Sequence, residues 1–425
     1  MLKLGMCALF LLPSALIAGN WTAFRGTGNN ISTEQQLPET WSASKNITWT
    51  ADLPGYGQSS PVVWGKQVFV TAVAGEMREK GFVVGLDAAT GKQQWMHEFT
   101  PTIQVKSGFS VSRAAPTPCV DANGVYCFFE GGNLLAFTHA GKLLWERSIA
   151  KEYGEFQGGH GIGASPCQSD DRLFILIDHN GPCYLLAVDK KTGKTLWKTD
   201  RDVKMSWSSP VYTKNGTQEM VVCSSNGSVC AYDAQSGKEI WKMTGVAGNT
   251  IPSATVVDGA IVVGGSNPRG KEPAADAKSN FCLEMDGKQT VRWSAKAGLA
   301  SYASPLVYEG LVYYVNAVGN LTCIDLKTGK ELYSERIDGP CWATPVAAEG
   351  KIFCFGKNGT TTVLKAGKEF DLLATNKLWA DAKSADAPEQ KGGFGSYGDP
   401  ILYGVAVADH SFFVRSGTQL IRISK

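Results

Sequence analysis

One recurring phrase constrains the fold of this chain more than any other feature. Each copy has an apolar run, then Asp-x-x-Thr-Gly-Lys or a close variant, and then an aromatic residue. The apolar run predicts a strand, and the polar residues predict a tight turn in which the glycine takes a positive φ. A recurrence every ~40–50 residues predicts a β-propeller or a similar array. The copies span residues 86–95, 188–197, 232–241 and 324–333, with shorter forms at 140–145 and 286–293.

A second phrase, most often Ser-Pro before an aliphatic residue, begins each unit and predicts the first of four strands, A to D. Proline is tolerated at the first residue of a strand. The last unit ends at Ile423 without a fourth strand, whereas residues 47–51 form a spare strand. The sequence therefore predicts an all-β fold: an eight-bladed β-propeller of four-stranded antiparallel blades, its ring closed by the N-terminal strand. The eight starts lie near Pro61, Pro118, Pro166, Pro210, Ser253, Pro305, Pro345 and Pro400.

The aromatic residue of each copy occupies a fixed place on the strand that returns from the turn. A large ring that repeats once per unit is expected to pack between neighbouring units and to hold them together. We predict this structural docking role for Trp49, Trp95, Trp145, Trp197, Trp241, Trp293 and Tyr333.

The N-terminus has the features of an export signal. Met1-Leu2-Lys3 is a short positive region, residues 4–17 are apolar, and Ala18-Gly19 supply small residues for cleavage. We therefore expect a signal peptide at 1–19 and one propeller domain at 20–425, exported to the periplasm or beyond the cell. An uncleaved anchor is the alternative, but the apolar stretch is short for a span, and no later run approaches ~20 residues.

Charge and cysteine content exclude several classes of protein. The net charge is +2, and no basic stripe indicates a nucleic-acid partner. Ten cysteines follow the signal, but none are adjacent and none have Cys-x-x-Cys spacing, which argues against zinc ribbons, thioredoxin-like motifs and c-type haem attachment. Most lie in apolar strands, so the pattern favours buried thiols over disulfides, although pairing cannot be deduced.

Long insertions fall on one side of the predicted disc. The A–B and C–D turns are short, whereas the B–C and D–A connections include long segments, and such loops on a rigid scaffold often carry function. Residues of these loops near the channel mouth are candidates for binding a ligand or partner, although aromatic side chains there would equally plug the channel. The insertions span 74–81, 97–115, 150–164, 264–280 and 375–398, and the candidates are Arg113, His160, Trp207, Asn249, Tyr302, Trp342 and Tyr397.

No catalytic constellation is evident. The five histidines are scattered without metal-ligand spacing, and the chain has neither a Gly-x-Ser-x-Gly elbow nor a phosphate-binding loop. The glycine-rich stretch around His160 precedes a strand rather than a helix, which argues against a nucleotide site. The sequence predicts no catalytic residues and no metal. Residues far apart in sequence can still converge at a propeller axis.

The repeated Asp-x-x-Thr-Gly-Lys-x-x-Trp resembles the tryptophan-docking motif of pyrroloquinoline quinone (PQQ) repeat propellers, over essentially all of the mature chain. That family includes quinoprotein alcohol dehydrogenases and the BamB-type scaffold of outer-membrane protein assembly. The opening Trp21-Thr22-Ala23-Phe24-Arg25-Gly26 looks like that of exported PQQ-like proteins of planctomycete-type bacteria. The resemblance is specific for the fold and weak for activity.

Departures from the family pattern bear on function. Quinoprotein dehydrogenases carry adjacent, disulfide-bonded cysteines against the cofactor, and this chain has no Cys-Cys pair and no recognisable set of calcium and catalytic carboxylates. The missing Cys pair and the scattered histidines therefore favour a non-catalytic exported scaffold without PQQ, binding a protein, peptide or glycan of the cell envelope through its long-loop face. A quinoprotein-like oxidoreductase, or a hydrolase with its site in the funnel, is the alternative.

Overall fold

The computed structural model describes residues 19–106, 112–257, 259–266, 278–296, 298–379, 402 and 404–425. Most of the predicted signal peptide, the eighth start at Pro400 and the candidate Tyr397 lie outside the described residues. No helix in the described part is long and apolar enough to cross a membrane.

The prediction of an eight-bladed all-β propeller is confirmed, since the strands form eight four-stranded antiparallel sheets. Blade 1 contains β2 (Val62–Trp64), β3 (Gln67–Ala74), β4 (Lys80–Asp87) and β5 (Gln93–Phe99), and blade 2 contains β6 (Cys119–Val120), β7 (Val125–Phe128), β8 (Asn133–Phe137) and β9 (Leu143–Ser148). Blade 3 contains β10 (Cys167–Gln168), β11 (Arg172–Ile177), β12 (Cys183–Asp189) and β13 (Thr195–Arg201), and blade 4 contains β14 (Val211–Asn215), β15 (Gln218–Ser225), β16 (Ser228–Asp233) and β17 (Glu239–Thr244). A short helix, α1 (Ile149–Tyr153), follows β9.

The second half of the ring repeats the same arrangement. Blade 5 contains β18 (Thr255–Val257), β19 (Ala260–Val263), β20 (Asn280–Glu284) and β21 (Val291–Ala295). Blade 6 contains β22 (Leu306–Tyr308), β23 (Leu311–Val315), β24 (Asn320–Asp325) and β25 (Glu331–Arg336). Blade 7 contains β26 (Val346–Ala348), β27 (Lys351–Phe355), β28 (Thr360–Lys365) and β29 (Leu372–Lys377). Blade 8 contains β30 (Val405–Ala408), β31 (Ser411–Ser416), β32 (Gln419–Ile423) and, as its outer strand, β1 (Ile47–Asp52).

The N-terminal strand closes the ring, as predicted. β1 pairs antiparallel with β32, with Trp49 opposite Arg422 and Asp52 opposite Gln419. The Trp49 indole then donates a 3.0 Å hydrogen bond to the Ala88 carbonyl of blade 1. One short strand therefore completes blade 8 and also joins the last blade to the first.

Each repeated phrase folds into a C–D turn that its own side chains stabilise. In blade 1 the Asp87 carboxylate accepts 2.8 Å hydrogen bonds from both the backbone N–H and the hydroxyl of Thr90. These bonds hold the pKa of Asp87 below its usual value, with the side-chain bond from Thr90 as the main cause. Equivalent pairs close the turns of blades 3, 4 and 6: Asp189 with Thr192, Asp233 with Ser236, and Asp325 with Thr328.

The repeated tryptophans dock each blade onto the turn of the next. Trp145 donates a 2.9 Å hydrogen bond to the Lys190 carbonyl, and its ring lies over Gly193. A Cβ on Gly193 would lie 2.6 Å from Cδ2 of Trp145, and the φ of this glycine is +71°, so only glycine fits. The same contact recurs for Trp49 on Gly91, Trp95 on Gly141, Trp197 on Gly237 and Trp293 on Gly329.

Two members of the predicted docking set pack differently. Nothing lies within 4 Å of a Cβ built on Gly287, so the turn of blade 5 does not receive Trp241 in this way. Trp241 instead packs beside the buried core shared by blades 4 and 5. Tyr333 meets Phe370 of blade 7 edge-on, with ring centroids 5.9 Å apart. The docking contact is therefore strongest where the turn keeps its glycine against the ring.

The ten described cysteines are free thiols, and nine of them are buried. This agrees with the expectation from their apolar strands. Burial raises the pKa of Cys119 to about 12 and that of Cys282 to about 11, so neither thiol ionises near neutral pH. In the described part of the chain the cysteines therefore act as small apolar core residues.

A segment before β1, residues 20–42, lies along the inner strands and contacts two A–B turns: Asn20 accepts a 2.8 Å hydrogen bond from the Gly65 N–H of blade 1, and Glu349 of blade 7 accepts a 3.0 Å bond from the Leu37 N–H. Trp21 bridges to Val63 of blade 1, and Asn30 donates to two carbonyls of blade 7. Between them Arg25 reaches blade 5, donating 2.8 and 2.7 Å hydrogen bonds to the Thr255 hydroxyl and the Ala254 carbonyl. Burial lowers the pKa of Arg25 to about 9. We call this segment the strap, and the sequence patterns did not predict it.

Deleting residues 41–53 should remove β1 and leave β32 and the turn of blade 1 uncovered. We expect aggregation or loss of cooperative unfolding, because the edge of β32 would be unpaired and the turn of blade 1 would lose the Trp49 ring docked on it. Size-exclusion chromatography and thermal denaturation of the truncated protein measure this. A monomeric product with an unchanged melting temperature would show that closure by β1 is dispensable.

Trp145→Ala should destabilise the protein by about 3 kcal/mol or more, because it removes a ring packed between two blades and its hydrogen bond. Trp241→Ala is the matched control and should cost only about 1 kcal/mol, since its ring does not cover the next turn glycine. Denaturant titrations of both variants give the comparison. Equal losses would mean that docking on the glycine adds little.

Candidate functional site

The face opposite the strap carries the B–C and D–A loops and holds a pocket of about 520 Å³. The B–C loop of blade 3 and the D–A connection from blade 3 to blade 4 form most of its wall. Its lining includes His179, Asn180, Lys204, Trp207, Asn226 and Thr250.

His179 is 4% exposed and held in one orientation by the backbone around it. Its Nδ1 accepts a 2.8 Å hydrogen bond from the Gln157 N–H and a 3.1 Å bond from the Gly181 N–H. Burial lowers the pKa of His179, so the ring is neutral at pH 7. A neutral ring with Nδ1 as acceptor carries its proton on Nε2.

Trp207 is the sequence-predicted candidate that lines this pocket. Its indole N–H donates a 2.9 Å hydrogen bond to the Gly161 carbonyl, and its backbone N–H donates to the Thr250 carbonyl at 2.7 Å. The ring meets His160 edge-on, with centroids 5.7 Å apart. The structure thus brings His160 and Trp207 together. The indole N–H of Trp207 is already bound to Gly161, so the ring has no further hydrogen bond to donate.

A buried ion pair between Asp178 and Arg201 lies directly next to His179 in the chain. Arg201 donates from Nε to the Asp178 carboxylate at 3.0 Å and from Nη1 to the Tyr232 hydroxyl at 2.7 Å. Ser225 also donates to Asp178. Burial alone would lower the pKa of Arg201, but the Asp178 charge outweighs it and the pKa is raised. This network fixes the end of β11, two residues before His179.

Asn249, another candidate, is completely buried rather than presented to a ligand. Its amide donates to the carbonyl of Ser228 at 2.9 Å and accepts from the Gly227 N–H at 3.0 Å. Asn249 therefore holds the loop that contains Asn226 against the segment that leads to Thr250. Its role in the described structure is to position pocket residues.

Tyr302 and Trp342 form a second aromatic pair. Their rings are stacked with centroids 4.1 Å apart, and the Lys357 ammonium lies 4.3 Å above the Trp342 ring. Trp342 is 6% exposed, so it contributes mainly to packing between blades 6 and 7.

Arg113 belongs to a third cluster. Its guanidinium lies 3.7 Å from the centroid of the Tyr56 ring, a cation–π contact. Close by, Arg78 pairs with the buried Glu130 at 3.2 Å. Burial raises the pKa of Glu130, although the Ala114 N–H and Arg78 oppose the shift.

The predicted contact residues are thus distributed over separate clusters in the described part of the chain. Sequence reasoning found Trp207 but missed His179, Asn180, Lys204 and Asn226, which share its pocket. The usable signal was positional: the His179–Asn180 turn lies in a B–C loop and Lys204 in the adjacent D–A loop. The described residues contain no group of three or more His, Cys, Asp or Glu that could hold a metal ion.

This architecture defines an eight-bladed propeller with tryptophan-docked blades. A family model described as outer membrane protein assembly factor BamB matches residues 31–181, 183–276 and 284–420. The chain belongs to this family.

Individual relatives carry different functions. The outer membrane protein assembly factor BamB of Yersinia pestis is 25% identical over 260 residues, which cover 56% of this chain and 60% of that protein. A polyvinylalcohol dehydrogenase of Pseudomonas sp is 26% identical over 268 residues, covering 58% of this chain and 35% of the enzyme. The alignments therefore span less than two thirds of either relative.

The fold is shared with solved structures at low identity. The quinohemoprotein alcohol dehydrogenase of Comamonas testosteroni superposes with a TM-score of 0.66 at 13% identity, covering 96% of this chain and 81% of that chain. This likeness concerns the fold alone.

The stability of the protein should fall as pH drops below about 6.5, partly because of His179. The unfolded histidine takes up a proton near its ordinary pKa of about 6.5, whereas the folded one, with a lowered pKa, takes it up only at lower pH. Stability is therefore lost between these two values. His179→Asn keeps an acceptor near the Nδ1 position and should flatten this part of the profile, measured by denaturant titration from pH 7.5 to 5. Identical slopes for both proteins would contradict the assignment.

Proposed function

We propose that this chain is an exported, non-catalytic propeller that acts as a scaffold or binding protein of the cell envelope through its long-loop face. The partner is a protein, peptide or glycan. Membership of the BamB family supports a scaffold role, and the predicted signal peptide at 1–19 supports export.

The observation that carries the proposal is the difference between the two faces. The strap lies along inner strands, with Trp21 on blade 1 and Arg25 on blade 5, and it contacts the A–B turns of blades 1 and 7 at Gly65 and Glu349. That end of the axis is therefore covered by the chain itself. The opposite face keeps the 520 Å³ pocket beside Trp207, a size typical of ligand sites.

The alternative is a quinoprotein-like oxidoreductase, favoured by the dehydrogenase relative. The donor set argues against a PQQ site of the family type. No two cysteines of the chain are adjacent, and the described residues offer no cluster of carboxylates for calcium. We therefore assign no cofactor to the proposed function.

The binding role can be tested by cross-linking the purified mature protein to fractionated cell envelope and identifying the captured partner. Trp207→Ala should reduce recovery of that partner by at least about tenfold, since interface aromatics often dominate binding energy. Lys194→Glu and Lys238→Glu, in the short C–D turns, should leave recovery unchanged.

Loss of binding only in the two lysine variants would place the functional surface on the strap side. A parallel assay measures dye-linked alcohol oxidation and absorbance after mixing with PQQ and calcium. Micromolar or tighter PQQ binding together with turnover would favour the oxidoreductase instead.

A further inference from the structure

A second cavity lies between the strap and the inner strands of blades 3 and 4. Its lining comes from residues 22–28 of the strap and from residues 166–168 and 209–212 of the two blades. The volume is about 220 Å³, below the ~300–1,000 Å³ that is typical of sites for drug-sized ligands. The cavity therefore has room for one small molecule.

Arg25 brings a positive charge to the wall of this cavity. Its terminal nitrogens donate to two neutral oxygens, the Thr255 hydroxyl and the Ala254 carbonyl, and its Nε has no hydrogen-bond partner in the described part of the chain. Among the described lining residues there is no Asp or Glu. An isolated buried charge is costly, so a buried guanidinium normally has an anionic partner. Here the described residues supply none.

The strap holds Arg25 in place by an unfavourable backbone conformation. The φ of Arg25 is +61°, in the left-handed region that side chains other than glycine rarely adopt. Its carbonyl accepts hydrogen bonds from the N–H groups of Gly28 and Asn30, both at 3.0 Å. On blade 5 the Thr255 hydroxyl donates to the Pro305 carbonyl at 2.6 Å, which leaves it as an acceptor toward Arg25. Strained residues fixed by their surroundings cluster at binding sites.

The remaining walls are suited to an apolar body with a single negative charge. Phe24, Pro166, Pro210 and Val211 supply apolar surface. The Gln168 amide nitrogen donates to the carbonyls of Thr22 and Val120, and its oxygen has no partner among the described residues. This unpaired acceptor oxygen would oppose a second negative charge, so the cavity matches a monoanion better than a dianion.

We propose that this cavity binds a small organic monocarboxylate, with its carboxylate toward the Arg25 guanidinium and its apolar body against Phe24, Pro210 and Val211. A guanidinium is well suited to a carboxylate, because hydrogen bonds between charged groups are short and strong. Inorganic phosphate or sulfate would leave the apolar walls without a partner. The inference goes beyond the proposed function and does not depend on it, because the Trp207 pocket is a separate site.

The test is calorimetric titration of the mature protein with benzoate, with benzamide as a neutral probe of the same shape. We expect saturable one-to-one binding of benzoate with a Kd of about 1 mM or lower, and at least about tenfold weaker binding of benzamide, which lacks the charge. The melting temperature should also rise with benzoate more than with an equal concentration of chloride.

Two substitutions separate the cavity from its charge. Val211→Phe fills the cavity and leaves Arg25 in place, so it should weaken benzoate binding by at least about tenfold. Its matched control is Leu306→Phe, at the equivalent position of blade 6 and outside the cavity lining, which should bind like the parent. Arg25→Lys keeps the charge but loses the planar fork, and it should weaken binding by about tenfold.

An NMR titration of the parent protein needs no substitution, and it decides the proposal if the variants do not fold. The ¹⁵Nε resonance of Arg25 should shift with benzoate and stay in place with benzamide. Equal affinities for the two probes, no benzoate binding by the parent, or unchanged binding by Val211→Phe would overturn the inference. So would an equal rise of the melting temperature with chloride. Recovery of the cross-linked envelope partner is a separate measurement, so the two proposals fail separately.

Discussion

The fold depends on one contact that repeats around the ring: an indole of one blade lies on a turn glycine of the next and donates to a carbonyl of that turn. For Trp145 the ring is so close to Gly193 that a Cβ would clash at 2.6 Å. Each contact couples the outer strand of one blade to the C–D turn of its neighbour. The Asp and Thr side chains within the turn preserve the shape that receives the ring. Packing and turn chemistry therefore require each other, and a substitution in either weakens the same interface.

This coupling explains why the sequence predicts the ring so well. The glycine, the acidic residue and the aromatic residue are local in sequence, and they repeat, so the blades and the closure by β1 can be read without a structure. The strap could not be predicted in this way. It has no periodicity, and its contacts join residues far apart in the chain, such as Arg25 with Thr255. For Trp241 the sequence predicts a docking contact that the structure does not have. The repeat is present there, but the following Asp-Gly-Lys turn of blade 5 differs from the others, and no ring lies on its Gly287.

The strap gives the two ends of the disc different chemistry. Arg25 is 3% exposed and makes its hydrogen bonds to neutral oxygens of blade 5, an arrangement that costs free energy and that lowers its pKa to about 9. A buried cation of this kind needs tightly held surroundings, because water cannot replace a lost partner. The strap is therefore closely packed against the inner strands at Arg25, whereas the pocket beside Trp207 lies among the loops of the other face.

The candidate site shows where sequence reasoning ends. Trp207 could be found because it precedes a recognisable strand start, but the significance of His179 depends on two backbone N–H groups, one of them 22 residues earlier. Those groups occupy Nδ1 and leave Nε2 as the donor, which no spacing in the sequence reveals. Asn249 shows the converse, since a polar residue at a promising position is fully used to hold the neighbouring loop. In a propeller the loops carry the chemistry, but buried amides and ion pairs such as Asp178 with Arg201 decide which loop side chains remain free to bind.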